Sequence, residues 1–188
     1  RGYMLAALAD NTSGEVVSVG TGRGVTIGEI VDIADNGELK VRFIFKDNGR
    51  GPELNENIQL NADGTIASYS GQGKSTFGSV INEKFERQGN NASWSAGEKK
   101  GQAKVSGVAM YHPVDGSPEL SSIVINAIAK SGTNSIALLP SGTLTQQSVS
   151  DLIVEKGGEK QQVQLLVQTG VGLVPNFVWA TSGENPRL

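Results

Sequence analysis

The fold of this chain is decided by four short segments in which apolar and polar residues alternate: Val41-Arg42-Phe43-Ile44-Phe45, Glu56-Asn57-Ile58-Gln59-Leu60, Thr65-Ile66-Ala67-Ser68-Tyr69 and Ser79-Val80-Ile81-Asn82-Glu83-Lys84-Phe85. Turn-forming residues separate them, at 47–52, at 61–64 and at Gly71-Gln72-Gly73. An alternation of period two places every second side chain on one face, which is typical of antiparallel strands with one buried face. The Asp63-Gly64 step favours a tight hairpin turn, because glycine adopts positive φ at little cost. The region is therefore predicted to be a β-meander.

One later segment has helical periodicity instead. Ser117-Pro118-Glu119 offers a capping residue, a proline for the first helical position and an acid for the first turn. Apolar residues then recur at helical spacing, at Leu120, Ile123, Val124, Ala127 and Ile128. We therefore predict an amphipathic helix over about residues 117–130. The fold class is predicted to be mainly β, with a strongly curved antiparallel sheet or open barrel wrapped around this one helix.

The remaining segments return to strand-like patterns. In 162–168 the apolar residues lie on one face, with Leu166 out of phase, while the polar stretch 95–101 predicts a solvated loop. We predict a single β-rich domain over 1–181 and a polar linker or tail over 182–188. The apolar stretch 3–9 is favoured as a first strand, although Ala7-Leu8-Ala9 also fits the end of a signal peptide. It is too short to span a bilayer, so no transmembrane segment is expected.

Composition excludes several functions for this chain. The net charge of -3, with no run of basic residues longer than Lys99-Lys100, argues against a nucleic-acid or anionic-membrane surface, since both require a clustered positive field. The absence of Cys excludes disulfides, thiolate catalysis and Cys-ligated metals.

The motifs that suggest chemistry are weak. Gly71-Gln72-Gly73-Lys74-Ser75-Thr76 lacks the first glycine of a phosphate-binding loop and precedes a strand, so a glycine-rich hairpin is favoured. His112, the single histidine, is predicted to lie in a loop rather than to bind a metal. The pairs Glu53 with Glu56 and Glu83 with Glu86 would point to opposite faces of their strands, so neither pair converges, and all four are expected on solvated faces.

Several motifs together resemble a known family. In chain order they are Phe43-x-Phe45-x-Asp47-Asn48-Gly49-Arg50-Gly51-Pro52, Asn82-Glu83-Lys84-Phe85, Ala92-Ser93-Trp94, Leu138-Leu139-Pro140-x-Gly142 and Gly170-x-Gly172-Leu173-x-Pro175-x-x-Val178-Trp179. They resemble the long N-terminal region of certain bacterial exported amidohydrolases. The resemblance implies a region that precedes a metal-dependent (β/α)8 barrel, which carries the catalysis. The barrel's His-x-His motif and bridging lysine have no counterpart here, so no catalytic, metal-binding or cofactor-binding residue is assigned.

The resemblance implies an accessory, non-catalytic domain or subunit of a metal-dependent amidohydrolase, exported or periplasmic, whose divalent metal (zinc is expected) belongs to the partner barrel. Asn48 and Arg50, at the tip of a turn, are candidate domain-interface residues, because a planar guanidinium can pair with a carboxylate or carbonyl of a neighbour. Trp94 and Trp179 are candidate core or interface anchors. This hypothesis predicts an unusually apolar surface patch.

Two alternatives stay open. A curved sheet closed by a helix also resembles lipid and lipoprotein carriers, and a stand-alone periplasmic carrier would need an apolar cavity lined by residues such as Ile58, Ile66, Val80 and Leu165. A structural module without a ligand is the other.

Overall fold

The computed structural model describes residues 25–34, 36–183, 186 and 188. This described part is mainly β, as predicted, and contains one helix. The strand predicted at 3–9 lies outside it. The elements are β1 Val25–Ile33, β2 Glu38–Asp47, β3 Glu53–Leu60, β4 Ile66–Lys74, β5 Val80–Gln88, β6 Asn91–Ala96, β7 Lys99–Lys104, β8 Ala109–Tyr111, α1 Glu119–Ser131, β9 Ser135–Leu139, β10 Thr143–Lys156, β11 Glu159–Thr169 and β12 Asn176–Thr181.

The first seven strands form one antiparallel sheet, sheet A, in which each strand pairs with the next. This order confirms the predicted meander. The turn at 61–65 is closed by a hydrogen bond from Asn61 N to Thr65 O of 2.8 Å. Gly64 lies in this turn with φ of 82° and packs against the helix at Ala127.

Two predicted breaks in sheet A are wrong. Gly71-Gln72-Gly73 lies inside β4, and the turn comes later, where Ser75 N donates to Ser79 O at 2.9 Å. The predicted loop at 95–101 is instead the β6–β7 hairpin, which turns at Gly97 with φ of 58°. In both places backbone pairing outweighs the weak strand propensity of Gly and Lys side chains.

The remaining strands form a curled half-barrel, sheet B, in the order β12-β11-β10-β9-β8. Its only parallel pair among the described strands is β8 with β9, where Ala109 is paired with Ala137 and Tyr111 with Leu139. Helix α1 connects these two strands, as parallel neighbours require a crossover connection.

Helix α1 lies between the two sheets, which confirms the predicted wrapping. Its main apolar face contributes to a core that both sheets share; the helix residues are Ile123, Val124, Ala127 and Ile128, and the sheet residues include Leu39, Ile58, Ile66, Phe85, Met110, Ile136 and Leu144. Another helix residue, Ile125, packs on Leu166, Val178 and Ala180 of sheet B. The predicted tail touches the same helix, because Asn126 Nδ2 donates to Pro186 O at 2.7 Å.

Candidate functional site

Two glutamates of sheet A are buried against the interior. Glu56 is 1% exposed and Glu83 is 2% exposed, so the prediction that both lie on solvated faces is wrong. Their neighbours three residues away, Glu53 and Glu86, are exposed on the opposite face. The predicted divergence of each pair is therefore correct, but the inner member of each lies among core residues.

The segment that joins β8 to α1, residues 112–118, crosses over these carboxylates, and we call it the strap. Val114 N donates to both carboxylate oxygens of Glu83, at 3.0 and 3.1 Å. Ser117 N donates to Glu56 Oε1 at 3.2 Å. Buried carboxylates are tolerated when backbone and hydroxyl donors satisfy them, so these bonds hold the strap on sheet A.

A third glutamate, Glu29 of β1, caps the helix. The sequence predicts Ser117 as the cap, but Pro118 precedes the first helical residue and no capping side-chain hydrogen bond forms there. Glu119 N instead donates to Glu29 Oε1 at 3.0 Å. A carboxylate at a helix N-terminus satisfies a free N–H and complements the helix dipole. Sheet A therefore holds the connection from β8 to α1 at three places.

Two tyrosines complete the cluster. Tyr69 Oη donates to Glu56 Oε1 at 2.8 Å, and Tyr111 Oη donates to Glu83 Oε1 at 2.6 Å. The glycine at 71, between the two glutamates in the cross-strand row, provides the space, because a Cβ there would overlap the Tyr69 hydroxyl. The glycine-rich segment that suggested phosphate binding thus has a packing role.

Burial shifts the proton affinities of the cluster. It raises the pKa of Glu56, and the hydrogen bonds that this carboxyl accepts only partly offset the effect. It likewise raises the pKa of Glu29, against a hydrogen bond from the helix. Burial and the neighbouring carboxylates raise the pKa of Tyr69 and of Tyr111, so both remain hydrogen-bond donors.

The hydrogen bonds of this cluster hold the strap and the start of the helix on sheet A. Glu83 accepts hydrogen bonds with both carboxylate oxygens, whereas Glu56 accepts them through Oε1 and its Oε2 is buried without a partner in the described part of the chain. Within the described ranges no group of three or more His, Asp or Glu is placed to hold a metal ion. His112 is exposed at the start of the strap, where its backbone N–H donates to Leu139 O at 2.9 Å. In the same described part, no helix is both long and apolar enough to cross a membrane.

A cavity of about 250 Å³ lies beside the strap, between the helix and the loop at 170–175. Its lining combines apolar residues with a few polar ones: Ile66, Tyr111, His112, Pro113, Leu120, Ser121, Val124, Leu144, Gln168, Val171, Gly172, Val174 and Asn176. Of the lining that the carrier hypothesis predicts, Ile66 is present. Ile58 belongs to the core and lines a separate, more open depression of about 610 Å³ on sheet A, and Val80 is 80% exposed on β5.

The outer face of sheet B is unusually apolar. Leu166 and Val178 face the helix, so the residues that alternate with them on β11 and β12 face away from it. Cross-strand partners share a face, and the pairs Leu165 with Trp179 and Leu152 with Val163 extend this outer face to β10. We call the set the outer patch; it consists of Leu152, Val154, Val163, Leu165, Val167, Phe177 and Trp179, and none of these residues is buried.

The four candidate interface residues do not form one surface. Asn48 and Arg50 are exposed in the turn after β2, where Asn48 has φ of 51° and Asp47 N donates to Arg50 O at 2.8 Å. Trp94 is half-buried on the inner face of sheet A and packs against the main core. Trp179 belongs to the outer patch of sheet B. An interface role stays a prediction for all four.

Comparisons with known proteins do not assign this chain to a family. No protein-family model matches the chain, and no curated protein matches it. Among solved structures it is similar to the crystal structure of a DUF1089 family protein from Pseudomonas aeruginosa, with 14% identity, a TM-score of 0.43 and coverage of 98% of this chain and 92% of that chain. Identity and TM-score are both too low to place the two chains in one fold, so the likeness carries no argument about function.

Proposed function

We propose that this chain is an accessory, non-catalytic module of an exported, metal-dependent amidohydrolase, and that it docks on the catalytic barrel through the outer patch. The motifs from Val41 to Trp179 suggest the family. The observation that carries the proposal is the outer patch itself. Seven apolar side chains on the solvent side of one sheet match the surface expected of a module that a second domain covers.

The physical argument concerns the cost of leaving this patch in water. Single exposed apolar residues are ordinary, but contiguous exposed apolar patches mark protein or membrane interaction sites. Phe177 is 64% exposed and Leu152 is 49% exposed. Trp179 belongs to the same patch and lies on β12, the edge strand of sheet B, opposite Leu165 of β11. Aromatic side chains of this kind are frequent anchors of protein interfaces.

The reaction chemistry would come from the barrel. The described residues offer no ligand set for a metal. Under the proposal, the divalent metal, expected to be zinc, is bound by the partner barrel. This chain then contributes a rigid surface held together by its own core, whether the two parts share one polypeptide or associate as separate chains.

The test uses a purified amidohydrolase barrel from the same source, loaded with zinc. Light scattering after size-exclusion chromatography should show a one-to-one complex, and Phe177→Ser should weaken its affinity at least tenfold. Phe77→Ser is the matched control, because Phe77 is 94% exposed but lies in the turn after β4 of sheet A. Absence of a complex, or equal weakening by both variants, would contradict the proposal.

The cavity supports a second candidate, a periplasmic carrier for a hydrophobic ligand. The helix packs between the sheets, and the cavity beside the strap has a volume of about 250 Å³. This volume is below the ~300–1,000 Å³ of typical small-molecule sites, so only a short acyl chain or a single ring would fit. Native mass spectrometry of the chain from its own source checks this candidate: a bound lipid would support it, and a ligand-free chain would leave a structural module.

A further inference from the structure

The cavity beside the strap has a buried floor and an exposed mouth. The buried residues of its lining are Ile66, Tyr111, Pro113, Val124, Leu144 and Gln168. The exposed residues of its lining are His112, Val171, Gly172, Val174 and Asn176. Three of the floor residues, Ile66, Val124 and Leu144, also belong to the core that the two sheets share. A molecule that enters at the mouth therefore reaches an apolar interior.

The volume limits such a molecule to about one ring. An apolar protein cavity of about 150 Å³ holds a benzene molecule, and this cavity has about 250 Å³. A six-membered ring with one small substituent fits that space. Larger molecules occupy sites of ~300–1,000 Å³.

The lining favours an uncharged ligand. Among the described residues that line the cavity there is no Asp, Glu, Lys or Arg, and His112 is exposed at the mouth. A charged group that left water for this floor would lose its hydration without gaining a counter-charge. A neutral ligand should therefore bind more tightly than a charged one of the same shape.

One hydrogen-bonding side chain is built into the floor. Gln168 is 5% exposed and lines the cavity. Its Nε2 donates to Gln146 Oε1 at 3.0 Å. That bond uses one N–H of the carboxamide and leaves the second N–H and the carbonyl oxygen available to a ligand. Because a buried polar group is costly without partners, a ligand that both donates and accepts would be stabilised here.

The mouth adds apolar surface that a bound ring would cover. Val171 and Val174 line the cavity, yet they are 44% and 76% exposed. Removal of apolar surface from water favours association roughly in proportion to the area that is covered. The same molecule would therefore gain from the valines at the mouth and from the apolar floor.

We propose that this cavity binds an uncharged, ring-sized molecule that carries an amide or hydroxyl group, with that group paired to Gln168. Gln168 and Leu144 lie on the inner face of sheet B, so the site is independent of the outer patch and of the amidohydrolase partner. The inference deepens the carrier candidate and rests on it, because it names the class of molecule that would be carried.

The test uses benzamide and benzoate, which are similar in shape and differ in charge, as probes of the full chain. In two-dimensional NMR of the isotope-labelled chain, benzamide should give saturable shifts at 111–113, 120–124 and 168–176, with a dissociation constant of about 1 mM or tighter. Benzoate should bind roughly tenfold more weakly or worse. The proposal is overturned by equal affinity for the two probes, by shifts centred elsewhere, or by no saturable shifts. Another part of the chain that already filled the cavity would give this last result.

Two variants test the role of Gln168. Gln168→Leu keeps the approximate size of the side chain and removes its hydrogen-bonding groups, so benzamide should bind roughly fivefold more weakly or worse. Gln146→Leu is the matched control, because it breaks the same Gln–Gln hydrogen bond but Gln146 does not line the cavity. Its affinity for benzamide should equal that of the unmodified chain. Equal affinities in both variants would overturn the pairing with Gln168. The comparison of the two probes uses the unmodified chain, so it decides the proposal even if Gln168→Leu does not fold.

Native mass spectrometry of the chain from its own source tests the carrier candidate separately. A long lipid bound to a chain that does not bind benzamide would overturn the proposed site and leave the carrier candidate. Benzamide binding by a chain that is isolated without any ligand would contradict the carrier candidate and leave the site.

Discussion

Sheet A and sheet B depart from the usual partition of polar and apolar residues in opposite directions. Sheet A buries the carboxyl groups of Glu56 and Glu83 within its core, while sheet B leaves the seven apolar side chains of the outer patch partly or largely exposed. The buried carboxyl groups accept hydrogen bonds from the strap and the tyrosines, although Glu56 Oε2 has no hydrogen-bond partner among the described residues. The exposed apolar residues have no such compensation in the described part of the chain. The buried carboxyl groups of sheet A therefore stabilise the fold itself, whereas the outer patch of sheet B is the surface that we expect a partner to cover.

The largest expected effect tests the buried carboxyl groups of sheet A. Glu83→Ala removes the acceptor of both the Tyr111 hydroxyl and the Val114 amide. Each buried donor left without a partner costs about 1–3 kcal/mol, so the free energy of unfolding should fall by about 4 kcal/mol. Urea denaturation followed by tryptophan fluorescence measures it. Glu86→Ala, on the exposed face of the same strand, should change it by less than about 0.5 kcal/mol. Similar losses in both variants would show that the strap contacts contribute nothing specific.

The next effect separates the two faces of sheet B. Leu166 is 2% exposed against the helix, whereas its neighbour Leu165 belongs to the outer patch. Leu166→Ala should lower the free energy of unfolding by about 3 kcal/mol, the usual cost of a cavity at a buried leucine. Leu165→Ala should cost about 1 kcal/mol or less and should weaken partner binding instead. The reverse order in urea denaturation would mean that the two faces are wrongly assigned.

These neighbours also show what local patterns predict and what they do not. The alternation in 162–168 places Val163, Leu165 and Val167 together with Leu166 out of phase, and a buried apolar face is the natural interpretation. In the structure Leu166 is the buried residue and the regular face points outward. The period of a strand follows from its own sequence. The side on which the helix packs is a long-range property, and no local pattern contains it.

The burial of Glu56 and Glu83, unlike that of Leu166, is indicated by the local sequence. Leu54-x-Glu56-x-Ile58 and Ile81-x-Glu83-x-Phe85 place a carboxylate in phase with two core residues. Such a position predicts a buried acid that requires donors from elsewhere in the chain. The donors themselves, the amides of the strap, could not be located, since their position depends on the β8–α1 connection crossing sheet A. The helix, the meander and the Asp63-Gly64 turn are local features, and they were predicted correctly.

A smaller effect concerns the room that sheet A provides for its buried cluster. In Gly71→Ala the new Cβ would overlap the Tyr69 hydroxyl and displace it from Glu56. Overpacking of this kind costs about 1–3 kcal/mol, so we expect a loss near 2 kcal/mol in urea denaturation. Gly172→Ala is the control, because the closest atom to its Cβ would be Val174 O at 3.9 Å. Equal stability of the two variants would show that Tyr69 moves without cost.

The smallest effect is a pH dependence of the same cluster. Burial raises the pKa of Glu56 above the value of 4.5 that an unperturbed glutamate has. The folded chain then binds a proton that the unfolded chain has already released, so this group lowers the free energy of unfolding as the pH rises from 4.5 through the folded pKa. Glu56→Gln removes that penalty and keeps an acceptor for Tyr69. Its stability relative to the unmodified chain should therefore increase as the pH rises from 4.5 through the folded pKa of Glu56 and then level off.

Glu53→Gln gives the opposite comparison on the same strand. A hydrogen bond from Lys46 lowers the pKa of this exposed carboxyl. Its ionised form favours the folded state, so the stability of Glu53→Gln relative to the unmodified chain should stay level or decrease over the same pH range. Urea midpoints of the three proteins, measured at matched ionic strength, decide between these outcomes. If the Glu56→Gln difference were independent of pH, the Glu56 carboxyl would hold its proton equally in the folded and unfolded chains. In that case the buried cluster of sheet A would affect stability only through its hydrogen bonds, and ionisation of Glu56 would contribute nothing.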